Sequence, residues 1–313
     1  MYYIGVDLGG TNIAAGVVDE NGKILTQDSV PTLNQRHYSE IVKDMADLCI
    51  KITKAAGLSI KDIKAIGIGS PGSIDNKNGV VAYSNNINMD HTPLAEELRK
   101  HIDLPVNIEN DANAAAYGEY VINGGDVEDF LFITLGTGVG GGVIINKKIY
   151  RGFNGVGGEL GHVTLVHDGV PCTCGNNGCW EAYASVTALI RQTKEAMDKH
   201  PESLMHKLAD KEGKVSGRTA FMAAKEGDAA AQAVVDKYVT YVADGINGMI
   251  NIFQPEKLVI GGGISKEGDY LLNPIIEYVN KHQYNRYMKK TEISIATLFN
   301  EAGIIGAALA ARE

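Results

Sequence analysis

A chain of 313 residues with 44% hydrophobic and 21% charged residues has the make-up of a soluble globular protein with room for two cored domains. Its formal net charge of −9, without any Lys/Arg-rich run, argues against a nucleic-acid surface, and no apolar stretch approaches the ~18 residues of a membrane span. The opening MYYIGVDLGG lacks the basic start of a signal peptide. Three of the four cysteines are clustered rather than spread as a disulfide framework, so a reducing, cytoplasmic setting is expected.

Residues 2–8, YYIGVDL, read as a buried strand carrying one acid, Asp7. Gly9, Gly10, Thr11 and Asn12 turn the chain, IAAGVVD returns as a second strand, and Asn21-Gly22 signals a hairpin into a third, KILTQDSV. From Ser39 the apolar residues Ile41, Met45, Leu48, Cys49 and Ile52 recur at helical steps, which makes Cys49 a core residue. A strand at 63–69, a turn SPGSID, a hairpin-like piece GVVAYSNN, a helix near 93–101 and a strand over DLPVNIEN come next, and a helix opens directly from that strand at Asp111.

DFLFITL, GTGVGGG and VIINKKIY then repeat the N-terminal pattern of strand, Gly/Thr turn and strand. Asp7 aligns with Thr134, Gly9 with Gly136, and Val17-Val18 with Ile144-Ile145. Such a repeat points to two halves of similar fold. Helical periodicity marks 183–198, 218–226 and 228–253, and KLVIGGGIS reads as a buried strand ending in three glycines. A helix near 269–281, a strand EISIATL and a closing helix EAGIIGAALAAR complete the chain, with Gly303 and Gly306 allowing close packing. No Pro- or Ser-rich linker separates the domains, so a hinge crossed more than once is expected.

GIGSPG (67–72) and GTGVGG (136–141) both satisfy G-x-G-x-x-G, yet both lead into further strand-like sequence rather than a helix, which argues against the dinucleotide reading. There is also no P-loop sequence. Each Gly/Thr turn alone is readable as a plain hairpin, but exposed backbone N–H groups and Thr hydroxyls can hold phosphates. Asp7 could hold Mg²⁺ through water. Two such turns plus Gly261-Gly262-Gly263 would surround one nucleotide. At Glu109-Asn110-Asp111 an acid stands at a strand-to-helix junction. It is either a helix cap or a general base, with Asn110 binding a hydroxyl whose proton Asp111 takes.

The stretch 155–181 carries the densest chemistry. Cys172, Cys174 and Cys179 form C-x-C-G-x-x-G-C-x-E, with His162 upstream and Glu159 and Glu181 bracketing the set. Three thiolates and one imidazole are the ligand count of a closed, structural zinc site. Free thiols or a redox pair are the plainer readings, and His167 is an alternative fourth ligand.

DLGGTN at 7–12, ENDANAAA at 109–116, LGTGVGGG at 135–142, GGELGH at 157–162 and CTCGNNGCWE at 172–181 resemble the ROK family (repressors, open reading frames and sugar kinases), from residue 4 to the C-terminal helix. The resemblance implies an α/β fold of the actin-like, hexokinase-like kind, with duplicated RNase-H-like domains around an active-site cleft. Residues 1–118 plus 301–313 would form the small domain, and 119–300 the large one with the zinc motif. It implies Asp111 as general base, and a sugar held by Gly72, Asn85, Asn110, Asp111, Glu159, His162 and Glu181. ATP phosphates and Mg²⁺ would be met by Asp7, Gly9, Gly10, Thr11, Asn12, Thr137 and Gly138, with Gly262 near the adenosine. Structural Zn²⁺ would be held by His162, Cys172, Cys174 and Cys179, so that His162 serves both metal and sugar.

The activity so implied is ATP- and Mg²⁺-dependent phosphorylation of a hexose, glucokinase-like and directed at the 6-hydroxyl of glucose. Kinases of N-acetylmannosamine, N-acetylglucosamine, allose or fructose are the rivals. Homodimers or homotetramers are implied, with a small sugar as partner and neither nucleic acid nor membrane. Family repressors carry an N-terminal helix-turn-helix domain, whereas the first strand here begins at residue 2. A repressor is therefore disfavoured, and a DNA-free sugar sensor is the rival outside the enzymes.

Overall fold

A computed structural model describes residues 1–84 and 86–312 of the chain. In chain order, β1 (Tyr2–Leu8), β2 (Asn12–Asp19) and β3 (Ile24–Pro31) lead to α1 (Tyr38–Ala55) and β4 (Ile63–Ser70). Short strands β5 (Ser73–Asp75), β6 (Val80–Ser84) and β7 (Met89–Thr92) precede α2 (Leu94–Arg99), β8 (Val106–Asn110) and α3 (Asp111–Glu119). Next come β9 (Phe130–Leu135), β10 (Val139–Ile145) and β11 (Lys148–Ile149), then helices α4 (Glu181–Ala184), α5 (Val186–Lys199), α6 (Leu204–Glu212), α7 (Thr219–Lys225) and α8 (Ala229–Phe253). The chain closes with β12 (Lys257–Gly261), α9 (Asp269–His282), β13 (Glu292–Ile295) and α10 (Ala302–Ala310).

Two five-stranded sheets have orders β3-β2-β1-β4-β8 and β11-β10-β9-β12-β13, the same pattern twice. In the first, β1–β2 and β2–β3 pair antiparallel while β1–β4 and β4–β8 pair parallel. In the second, β10–β11 is antiparallel and β12–β13 parallel. This is the structural form of the repeat read from Asp7 and Thr134, and it is the duplicated α/β architecture of the actin-like, hexokinase-like fold. By contact density the chain divides into one unit of Met1–Phe132, Gly142–Gly158 and Thr297–Glu313, and another of Ile133–Gly141 and Glu159–Ala296.

In the first unit, strand alternation sorts β1 into two faces. Ile4, Val6 and Leu8 join Ile13, Ala15 and Val17 of β2 against Ile41, Met45, Leu48, Cys49 and Ile52, the apolar stripe of α1. Cys49 is fully buried, and burial pushes its thiol up to about 12, so it is an inert core residue. The other face of β1, from Tyr3, meets Ile304 and Ala308 of α10, whose residues are buried from Ala302 to Leu309. A β-carbon on Gly306 would stand 1.7 Å from the Ala114 carbonyl oxygen of α3, so this helix crossing admits glycine alone. The hairpin-like piece supplies β6, the central strand of a three-stranded antiparallel sheet β5-β6-β7.

In the second unit, α8 buries Val235, Tyr238, Val239, Val242, Ile246, Met249 and Ile250, as its periodicity predicts, while Phe253, placed on the same face by that period, is only partly buried at the helix end. Trp180 is buried, and its indole N–H donates to the Tyr241 carbonyl at 2.8 Å. The helix expected over 183–198 is two helices. Ser185 is extended (ψ 162°) and turns its hydroxyl to cap α5 at the Ala188 N–H, 3.1 Å away, which ends α4. Helix α6, absent from the sequence reading, lies between the Ser203 cap and the left-handed Gly213 and is too short for a clear apolar period. The strand expected over 257–265 stops at Gly261, because Gly262 (φ +87°) turns the chain into a short 3₁₀ segment. No helix among the described residues is long and apolar enough to cross a membrane.

Candidate functional site

In the first unit the chemistry gathers where β1 and β8 end. Asp7 sits on the α10 side of its strand, and a β-carbon on Gly303 would come within 3.0 Å of its carboxyl. The following turn is closed by Gly9 N–H donating to the Asn12 carbonyl at 2.9 Å. It is pinned by Thr32, whose hydroxyl donates to the Gly9 carbonyl at 2.6 Å and whose N–H donates to the Thr11 carbonyl at 2.9 Å. Thr11 and Asn12 are exposed. Thr32 is fully buried and nothing near it in sequence marks it as the anchor of this turn.

At the end of β8, Asn110 is the helix cap: its Oδ1 accepts from Ala112 N at 3.0 Å and Asn113 N at 3.2 Å. Asp111 is the first residue of α3, and its Oδ1 accepts the Ala112 N–H at 2.8 Å. The capping role thus falls to Asn110 and leaves the Asp111 carboxylate with a free oxygen. Asn110 Nδ2 reaches the Gly72 carbonyl at 3.3 Å, bringing the SPG turn to the same place. Burial raises the Asp111 carboxyl above the usual carboxylate range, against the opposing pull of the Ala112 N–H. Burial, and secondarily the charge of Asp111, lifts Asp7 to about 6.

That shift has a consequence for stability. Asp7 binds its proton more tightly in the folded chain than in the unfolded one, where 3.8 is the reference. Native stability from this group is therefore present at low pH and is lost as pH rises through about 6. Asp7→Asn is expected to stabilise the ligand-free protein by roughly 1–3 kcal/mol near neutrality. Unfolding midpoints at about pH 5 and about pH 7.5 check this: the advantage should shrink at the lower value, and equal differences would refute it.

In the second unit the turn after β9 is closed by Gly136 N–H donating to the Gly138 carbonyl at 3.0 Å, the counterpart of the Gly9 turn. The Thr137 and Gly136 carbonyls accept from the Thr187 hydroxyl and the Val186 N–H at the start of α5. Glu181, the first residue of α4, takes the Val139 N–H at 3.0 Å on one oxygen and lies 3.7 Å from the Cys172 sulfur on the other. A β-carbon on Gly138 would stand 2.2 Å from that carboxylate. Gly262 closes on the backbone of Leu135, at the end of β9.

His162, Cys172, Cys174 and Cys179 offer ligand atoms that all lie within 4.8 Å of one another. The His162 Nδ1 is 3.7 Å from the Cys172 sulfur, and the Cys174 and Cys179 sulfurs are 3.6 Å apart. A tetrahedral zinc with ordinary Zn–S and Zn–N bonds sets neighbouring ligands roughly 3.5–3.8 Å apart, so the donor set fits that ion. Bridges pairing Thr164 with Cys179 and Pro171 with Asn177 fold the segment so that these four side chains meet. His167 is excluded from the cluster: it is exposed and paired with Asp168 at 3.3 Å. Glu159, exposed, begins the short turn that ends at His162.

The first unit thus holds Asp7, Gly9, Gly10, Thr11, Asn12, Gly72, Asn110 and Asp111. The second holds Thr137, Gly138, Glu159, His162, Glu181, Gly262 and the three clustered cysteines. Asn85 lies outside the described residues. Sequence reasoning passed over Glu109 as a structural group. It is buried, and Arg151 grips it with Nε and Nη2, both at 2.7 Å from Oε2.

The family model described as ROK family matches residues 3–313. The chain is 40% identical to the glucokinase of Halalkalibacterium halodurans, over 97% of this chain and 93% of that protein. It is 39% identical to the glucokinase of Thermotoga maritima, over 99% of this chain and 97% of that one. In three dimensions it is similar to a ROK family glucokinase from Streptomyces griseus solved in complex with glucose and AMPPNP. That match has a TM-score of 0.85 and 38% identity, and covers 100% of this chain and 99% of that one.

Proposed function

The chain belongs to the ROK family, and on that premise we propose that it is an ATP-dependent hexose kinase that phosphorylates the 6-hydroxyl of glucose. The observation that carries the reading is the Asn110–Asp111 junction. There one amide caps the helix and still offers an N–H donor, while the next carboxylate is half-buried with an oxygen to spare. Near-full-length likeness to glucokinases at 38–40% identity supports the choice of sugar.

Asp111 takes the proton of the sugar hydroxyl as that oxygen bonds to the γ-phosphorus and the bond to the ADP oxygen breaks. Burial raises the carboxyl's basicity and the Ala112 N–H opposes that rise only in part, which suits a base that accepts the hydroxyl proton while its position orients the attack. The Asn110 amide donates to the sugar, with Gly72, Asn85, Glu159, His162 and Glu181 as further sugar contacts. The Gly9–Asn12 and Thr137–Gly138 turns hold phosphates by backbone N–H groups and hydroxyls, and Gly262 lies toward the adenosine. Asp7, whose carboxyl burial lifts to about 6, is the group that a phosphate-bound Mg²⁺ and its waters would hold in the ionised form.

Zinc would be held by His162, Cys172, Cys174 and Cys179, and with four protein ligands and no open position it would supply rigidity rather than chemistry. Nδ1 of His162 lies 3.7 Å from the Cys172 sulfur, so a zinc bound there would fix the tautomer that offers Nε2–H as a sugar donor. The three thiols call for a reducing, cytoplasmic home, and the net charge of −9 argues against nucleic-acid contacts. A coupled ADP-release assay over a panel of hexoses and N-acetylhexosamines tests the substrate. The highest kcat/KM is expected on glucose, and a preference for N-acetylmannosamine or fructose would reassign the sugar.

A further inference from the structure

Glu109 is a carboxylate only 4% exposed, near the end of β8 and two residues before the proposed base. A charge buried this deeply persists only if its lone pairs are filled. Arg151 fills one oxygen through two nitrogens, both at 2.7 Å. The other oxygen accepts the Asn110 N–H at 3.0 Å and the Asn113 Nδ2–H at 3.1 Å. Asn110 is the cap of the helix that Asp111 begins, and Asn113 stands in the first turn of that helix. An unbroken chain of hydrogen bonds therefore runs from the guanidinium through Glu109 to the two residues that set where Asp111 points. Arg151 also fixes its own loop, its carbonyl accepting from Gly157 N at 2.9 Å.

We infer that Arg151 is a positioning residue for phosphoryl transfer: by locking Glu109 it orients the Asn110–Asp111 junction. The inference rests on the kinase reading above, with Asp111 as base. Removing the guanidinium leaves Glu109 buried without its counter-charge, so the carboxylate must shift toward water or take up a proton. Either response loosens its hold on Asn110 and Asn113, and a displacement of the order of an ångström at a base costs about a hundredfold in rate.

A cavity of about 240 Å³ adjoins the ion pair, lined by Arg151, Glu109, Asn76, Asn107 and Ile108 among others. It gives a small guanidinium ion access to the place a truncated Arg151 would vacate. The test is therefore Arg151→Ala assayed with glucose and ATP, with and without methylguanidinium. The expected kcat falls about tenfold to a hundredfold, while KM for ATP stays within about twofold. Millimolar methylguanidinium restores part of kcat in Arg151→Ala and does nothing to the parent. Unchanged kcat overturns the inference, and so does a loss that raises KM for ATP in step and ignores methylguanidinium, the pattern of a merely structural ion pair. Should the Ala variant not fold, Arg151→Lys decides, because it keeps the charge and loses the two-nitrogen grip: an intermediate kcat supports the inference and the parent's kcat refutes it. A parent chain inactive on every hexose would instead fell the kinase reading itself.

Discussion

Asp111→Asn is expected to lower kcat for glucose phosphorylation by roughly a thousandfold, within the 10²–10⁴ that a general base contributes. The substituted amide keeps the size of the carboxylate and the oxygen that accepts the Ala112 N–H, so the start of α3 should survive. It cannot take a proton. Asn110, which caps the helix and offers its amide N–H, is untouched, so glucose affinity should stay within roughly tenfold, about 1.4 kcal/mol. Calorimetric titration with glucose beside steady-state kinetics separates the two effects. Activity retained in the variant would remove Asp111 as base, and binding lost along with activity would make it a sugar ligand first.

The second large effect is expected from the metal cluster. Cys174 is the informative ligand to remove, because it is exposed, whereas Cys179 is fully buried and its truncation would also open a hole in the core. Cys174→Ala therefore isolates the contribution of the ion. Elemental analysis of the parent should find about one zinc per chain, and the variant well under half that. If zinc holds His162 through Nδ1 as proposed, loss of one ligand frees that ring, and kcat/KM for glucose should drop by roughly 10–100-fold, the range seen when a metal site loses its support. KM for ATP should hardly move. A parent without zinc, or a variant with unaltered KM for glucose, would show that the metal does not shape the sugar site.

What was legible in the sequence was local. Cys172, Cys174 and Cys179 stand close enough along the chain for their spacing to state a ligand set. Strand period and turn glycines gave the two Gly/Thr turns, and the Asp7–Thr134 alignment anticipated two sheets of one topology. The choice of His162 over His167 was not local. It is made by the bridge from Thr164 to Cys179, which carries His162 to the thiols and leaves His167 in solvent beside Asp168. Long-range partners were invisible for the same reason. Nothing in ENDANAAA announces that Glu109 is paired with Arg151 far along the chain, or that Thr32 pins the Gly9 turn. The broken helix at Ser185 was missed because apolar period runs through it, while the hydroxyl that ends α4 acts on backbone alone. Asn110 was read beside Asp111 as a sugar ligand, and its second task as helix cap emerged from the geometry of both N–H contacts.

The most direct test is to identify the product made from glucose, ATP and Mg²⁺ by the wild-type chain, using proton–phosphorus NMR. One equivalent of phosphate transferred to O6, accompanied by one of ADP and absent from a parallel Asp111→Asn reaction, is the predicted result. Glucose bound but returned unphosphorylated, or phosphate found on any other oxygen, would contradict the assignment of this chain as a glucose 6-kinase.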